Sequence, residues 1–353
     1  MRLFRGALGA TLLAQMALCP RLWTAARAFP IVPAFEGLPE PPSVVTLALT
    51  GLLVLSVLAA SCLPKPRFAP YAVVLLGASL VLFDLNRLQP WFYGSLLLFL
   101  ALGTGKDEES AWSPCALVLA ATYVWSGLQK ANLAFSENVF PWLLHPLGLD
   151  ALRPLWPLAS VLETSVGLLI LFPKTRNYGL GLGVGMHAFL LLALGPLGQN
   201  ANSVVWPWSF GMPILLLALF FRDPRTIPRK AVLSPVAIIA GVLPALNFVG
   251  LWDDNLSDAL YSGRTRQAFV ILTEAGAARL SPEVRPYVQR RPDRIGLDLS
   301  RWSLAETNVP PYPEIRAYRA VAKRLGVPPG EMTLIVAERP GIGETKTIFR
   351  RVP

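Results

Sequence analysis

The stretch ALVLAATYVWSGLQKAN (residues 116–132) is a nearly continuous apolar run that carries Lys130 close to its end. Two further runs repeat the pattern: PLASVLETSVGLLILF (157–172) holds Glu163, and GLGLGVGMHAFLLLAL (179–194) holds His187. With their flanks, such runs reach the ~20 apolar residues a membrane-spanning helix needs. A charged group at the bilayer centre costs at least ~2.5–3.5 kcal/mol on insertion scales, so residues of this kind face a protein-lined cavity. Three of them on neighbouring spans predict one polar pocket inside a helical bundle.

Working outward, the composition agrees. The 353 residues are 53% hydrophobic and 15% charged, against about 25% charged in soluble domains. Apolar segments fall at 4–19, 43–63, 69–85, 90–104, 112–133, 153–172, 177–195, 203–221 and 231–250. The sequence therefore predicts an all-α polytopic membrane bundle of about nine transmembrane helices over residues 1–252, followed by a small extramembrane α+β domain over 253–353. The first segment also fits a signal peptide, with Arg2 and Arg5 ahead of the apolar run and TAARA (24–28) behind it.

The net charge of +10 sits largely in short loops, at Lys65, Arg67, Lys174, Arg176, Arg222, Arg225, Arg229 and Lys230. There it acts as a topogenic signal, and no nucleic-acid-reading motif or basic stripe with interleaved aromatics accompanies it. The KPR (65–67), KDEE (106–109), KTR (174–176) and RDPRTIPRK (222–230) loops share one side, whereas GPLGQNANS (195–203) carries no Lys or Arg. This places the N-terminus in the cytoplasm and the C-terminal domain on the outer side of the cell membrane, although Arg21, Arg27 and Arg87 then lie outside too. Cys19, Cys62 and Cys115 form no CxxC, and His145 and His187 are the only histidines, so no metal site is expected.

After Trp252 the apolar runs shorten. QAFVILTE and MTLIVAE read as strands, and PEIRAYRAVAKRL has helical spacing with Ile315, Tyr318, Val321, Ala322 and Leu325 on one face.

Within the spans, Tyr123, Ser126, Gly127 and Lys130 recur at i, i+3, i+4 and i+7 and share a helix face. Lys130 is either a base held in an apolar pocket or a lysine snorkelling to the headgroups. Glu163 and His187 fall at similar depth, which allows a direct hydrogen bond between them, serving chemistry or helix packing alike. Gly179 and Gly183 share the His187 face and allow close helix approach. In DLNRLQPW (84–91), Asp84 and Arg87 are three apart and suited to pairing, with Trp91 beside them as a corner or a pocket wall. Gln199, Asn200 and Asn202 mark an outer mouth, and Trp206 and Trp208 suit an aromatic belt or a flat ligand.

Four of these pieces, DLNRLQPW, SGLQK, LETSVGLLILFPKTRNYG and MHAFLLLALGPLGQNANS, occur in the order seen in the horizontally transferred transmembrane (HTTM) domain superfamily, which includes the vitamin K-dependent gamma-carboxylase. The chain resembles that superfamily over roughly residues 70–221. The resemblance implies Lys130 as base toward a reduced quinone, with His187 holding or polarising that ligand. The residue reading adds Glu163 as support for them and Tyr123, Ser126, Asp84, Arg87, Trp91, Asn200 and Asn202 as candidate ligand contacts. The chain departs from a carboxylase in lacking a large outer platform for peptide substrates, so glutamate carboxylation is not expected. Two alternatives stay open: a non-catalytic, quinone-binding or redox-partner scaffold like the related DoxX group, and a transporter. The bilayer, a lipophilic small molecule and a protein partner for the C-terminal domain are the expected associates.

Overall fold

The computed structural model describes every residue except Ala25, Lys65, 339–347 and Pro353. Lys65, read above as part of a topogenic loop, and Ala25 of the TAARA stretch thus lie outside the described residues. The chain is mostly helical. Eight main helices build the bundle: α1 (Arg2–Leu18), α2 (Ser43–Cys62), α3 (Ala69–Phe83), α4 (Pro90–Thr104), α5 (Glu108–Gln129), α6 (Trp156–Leu171), α7 (Arg176–Leu194) and α8 (Val205–Phe220). Local sequence sets their starts. Asp107 caps α5 through the Ser110 amide, and α3, α4 and α6 place proline in the first turn, where a missing N–H costs nothing.

Four helices are long and apolar enough to cross a membrane: α2, α5, α7, and α6 counted with its 3₁₀ lead-in from Asp150. Helices α3 and α4, α8 and the segment Pro235–Val249 are apolar but shorter. Leu47, Leu52, Leu55 and Leu58 on α2 face outward, an apolar exterior suited to lipid. In α1, by contrast, Phe4, Leu8 and Leu12 are wholly buried and Gln15 donates to the Val204 carbonyl at 3.2 Å, so it packs as a member of the bundle.

The expected span at 231–250 is broken. It divides into Arg229–Val232, α9 (Pro235–Gly241) and a 3₁₀ segment, Leu243–Val249. Pro235 starts a new helix capped by Ser234, and Pro244 removes a second backbone donor before Gly250 ends the segment at φ 75°.

One end of the bundle gathers the starts of α1, α5 and α7 and the end of α8. Arg5 pairs with Glu108, Trp112 Nε1 donates to the Leu219 carbonyl at 2.9 Å, and Arg176 donates to the carbonyls of Asp223 and Arg225. The opposite end carries the C-terminal region. There Asn308 Nδ2 donates to the Leu18 carbonyl at 2.8 Å, and Gln89 Nε2 to the Pro310 carbonyl at 3.0 Å. The basic Lys106, Lys174 and Arg222–Lys230 loops thus lie at the end away from the C-terminal region.

The C-terminal region contains an antiparallel sheet in the order β2-β3-β1-β4-β5, formed by β1 (Gln267–Leu272), β2 (Val288–Arg291), β3 (Arg294–Asp298), β4 (Met332–Glu338) and β5 (Ile348–Val352). Phe269 lies opposite Asp298 on one side and Ile335 on the other. Alternation along β1 buries Ala268, Val270 and Leu272. Helices α10 (Leu299–Thr307) and α11 (Ile315–Arg324) bury Trp302, Tyr318 and Val321. Phe29 meets Trp302 edge-on at 4.8 Å, so α10 packs against the bundle's loops and the two apolar cores are continuous.

Candidate functional site

The site begins with two glycines. A Cβ on Gly127 would stand 2.3 Å from Thr164 Oγ1 and 2.5 Å from the Thr164 amide nitrogen, so only glycine lets α5 and α6 touch here. Gly167 does the same from the other helix, against the Ala120 carbonyl at 2.4 Å. Ser160 Oγ then donates to the Gly127 carbonyl at 2.7 Å. This contact sets Lys130, at the C-cap of α5, opposite Glu163 on α6.

Lys130 Nζ lies 2.8 Å from Glu163 Oε2, and each side chain is only 12% exposed. The ammonium also donates to the Ser126 carbonyl at 3.1 Å and to Ser126 Oγ at 2.7 Å, which uses its third hydrogen. Lys130 therefore turns inward and does not snorkel.

Glu163 and His187 do not bond to each other. Instead His187 Nε2 and the Tyr123 hydroxyl are 2.8 Å apart, their rings edge-on. His187 Nδ1 is buried without a partner among the described residues. Helix α5 offers each group a different partner, Lys130 to Glu163 and Tyr123 to His187. Gly179 sits against backbone, since a Cβ there would meet the Ile170 amide nitrogen at 3.0 Å, whereas one on Gly183 would meet the Leu216 side-chain tip at 2.7 Å.

Both pairs line one cavity of about 560 Å³, within the usual range for small-molecule sites. Its walls are mainly apolar, with the rings of Trp91, Trp208, Phe135 and Phe140 among them. Cavity-lining Leu155, Leu158 and Leu162 on α6 and its lead-in, and Gly181 and Gly185 on α7, are also exposed on the outside of the bundle. The cavity wall that α6 and α7 provide is therefore partly open.

Of the residues expected here, Lys130, Glu163, His187, Tyr123, Ser126 and Trp91 come together. The other four do not line the cavity. Asp84 pairs with Arg27 and accepts the Val32 and Asn86 amides, while Arg87 donates to the carbonyls of Leu22 and Leu80 at 3.0 and 2.8 Å. Asp84 and Arg87 are thus fully buried corner residues that do not pair with each other. Asp84 is satisfied through Arg27, which lies 57 residues away in sequence and which spacing alone would not suggest. Asn200 and Asn202 adopt left-handed conformations, φ 47° and 48°, and shape the turn after α7. Asn202 touches the site only through Tyr261, donating to its hydroxyl at 2.9 Å. Of the two tryptophans, Trp208 lines the cavity and Trp206 donates to the Leu194 and Ala201 carbonyls.

One residue was missed. Asp258 lies beyond the last apolar segment, yet its side chain lines the same cavity. Burial pushes its carboxyl up to about 7, Glu163 pushes in the same direction and Lys130 opposes. No periodicity marks it; the only sequence signal is a third acidic residue closely following Asp253 and Asp254.

Compared with protein-family models, curated proteins and solved structures, the chain matches none.

Proposed function

We propose that this chain is a polytopic membrane protein that binds a lipophilic small molecule within its bundle and acts on it by acid–base chemistry centred on Lys130. The observation that carries this reading is the Lys130–Glu163 pair at the polar end of an apolar cavity whose wall at α6 and α7 is partly open. A molecule dissolved in the bilayer reaches such a site without crossing water. Its apolar body packs on leucine and aromatic walls while its polar head meets Lys130.

In this reading α1 to α8 and the broken 229–249 segment make nine passages, some of them short. The basic loops lie on the cytoplasmic side of the cell membrane and the C-terminal domain outside. Kinship with the HTTM superfamily is part of the same proposal. A reduced quinone fits in kind, since Trp91, Trp208 and Phe140 offer flat faces and Lys130 and Tyr123 offer polar contacts. When bound, it would supply acidic hydroxyl groups at the polar end. Glu163 holds the Lys130 charge in place, and Tyr123 orients the His187 ring.

A second reading is favoured by one observation: all three Lys130 hydrogens already have partners inside the protein. That suits a non-catalytic quinone-binding scaffold. Native mass spectrometry on the detergent-extracted chain tests the common part: a lipophilic molecule is retained by the wild type and lost from Ala159→Phe, which adds a ring to the cavity wall. No retained molecule in any mild detergent would overturn both readings. Consumption of an added ubiquinol analogue then separates them: Lys130→Met/Glu163→Gln abolishes it if Lys130 is the base, whereas the scaffold consumes none in either form.

A further inference from the structure

We infer that Asp258 is the proton-exchanging partner of the Lys130–Glu163 pair, and that residues 253–264, which precede the sheet, are part of the cavity itself. This rests on reading Lys130 as an acid–base group.

The segment is tied to the bundle at several points. Asn255 Nδ2 donates to the Leu88 carbonyl and Asn132 Nδ2 to the Ser262 carbonyl, both at 2.9 Å. Tyr261 stacks on Trp142 with centroids 6.2 Å apart. A Cβ on Gly263 would meet the Ala134 carbonyl carbon at 2.7 Å, so the chain presses against the turn after α5. Between these ties, Asp258 and Tyr261 take left-handed conformations, φ 53° and 57°, which non-glycine residues seldom adopt. Flanking Ser257 and Ala259 are buried, and the bend turns the Asp258 side chain into the cavity.

The charges at that end do not balance. One amine, Lys130, faces two carboxyls, Glu163 and Asp258, and the amine is already bonded to Glu163. Asp258 makes no ion pair or hydrogen bond among the described residues. The groups around it are Lys130 on α5, Glu163 on α6 and Tyr93 on α4, with His187 and Tyr123 in the same cavity. A carboxylate left unpaired in such surroundings takes up a proton readily.

That property completes a cycle for Lys130. An ammonium cannot act as a base until it gives up a proton. Passing it to the Asp258 carboxylate through a water breaks an N–H bond and forms an O–H bond. A neutral amine and a neutral acid replace the two charges, and Glu163 remains as the one ion of the three groups. Asp258 then returns its proton to water on the C-terminal side, where its segment leaves the bundle. An exchanging group works best when its own pKa lies near the working pH.

The test is infrared spectroscopy of the full chain in lipid nanodiscs, without added ligand, from pH 5 to 9. The expected result is a protonated-carboxyl band that disappears with a midpoint about 7 and is missing from Asp258→Asn. Asparagine tolerates the left-handed backbone, so the variant keeps the bend. Glu314 is also pushed up to about 7 by burial, and its band remains in both samples. In Glu163→Gln, Lys130 is freed to pair with Asp258 and the midpoint falls to lower pH. The inference is overturned if Asp258→Asn removes no titrating band, or if Glu163→Gln leaves the midpoint unchanged. Neither readout involves a bound lipophile, so failure here is separate from failure to find one.

Discussion

Gly127 and Thr164 stand so close that a single methyl group would not fit between them, and this contact is what brings Lys130 within 2.8 Å of Glu163. The chemistry of the site thus depends on a residue with no side chain. Helix α5 supplies the cation, α6 the anion, and the glycine fixes their separation.

Gly127→Ala should therefore destabilise the protein, by roughly 1–3 kcal/mol as for other overpacked sites, because the obstructing atoms include the backbone of α6. Gly181→Ala is the control. Its Cβ meets nothing within 4 Å, and exchanging glycine for alanine inside a helix adds up to about 1 kcal/mol. Melting temperatures in one detergent should fall for the first variant and hold or rise for the second.

Removing one member of the ion pair should cost more than removing both. Lys130→Met leaves Glu163 buried without its cation, a loss of about 3–5 kcal/mol for such pairs. Lys130→Met/Glu163→Gln should recover most of that loss. A thermal double-mutant cycle checks this; simple additivity would mean that the pair contributes no coupling.

Among the described residues, Tyr123→Phe takes away the only partner of His187 Nε2 while Nδ1 already has none. Leaving the ring unpaired should cost about 1–3 kcal/mol. Adding His187→Phe should not add a comparable loss, because the ring left without partners is then gone. The measurement is again stability, with ligand retention followed in parallel.

Stability should fall as pH rises from about 4 to about 7 through the contribution of Asp258. The sign follows from its raised pKa. In that range the folded protein holds a proton that the unfolded chain has released, so raising the pH favours unfolding. Above about 7 the contribution is gone. Melting temperatures of wild type and Asp258→Asn at pH 5.5 and 8.5 should show the smaller decline in the variant.

Much of the fold was legible before any coordinates. Long apolar runs locate helices because lipid and protein interior both select for them, and eight of the nine segments reappear as single main helices, α1 to α8, with small shifts at their ends. The two strand-like runs became β1 and β4 because period-two burial in a half-buried sheet leaves a plain alternation. The segment 231–250 was misread because average hydropathy is blind to Pro235 and Pro244, which remove backbone donors at specific points.

The site was legible in part. Lys130, Glu163 and His187 stood out because charge or polarity in an apolar run needs a reason, and that single-residue property is written in the sequence. Their pairing was not. Which neighbour each one meets depends on helix rotation and separation, set by contacts such as Gly127 with Thr164 that no spacing rule specifies. Arg27 with Asp84 and Asp258 with the Lys130 pocket are joined across 57 and 128 residues respectively. The sequence by itself determined that this chain builds apolar helices and buries ionisable groups among them. Only the tertiary structure decided which groups share a cavity, because a buried charge is satisfied by whatever lies within about 3 Å in space, however far away in the chain.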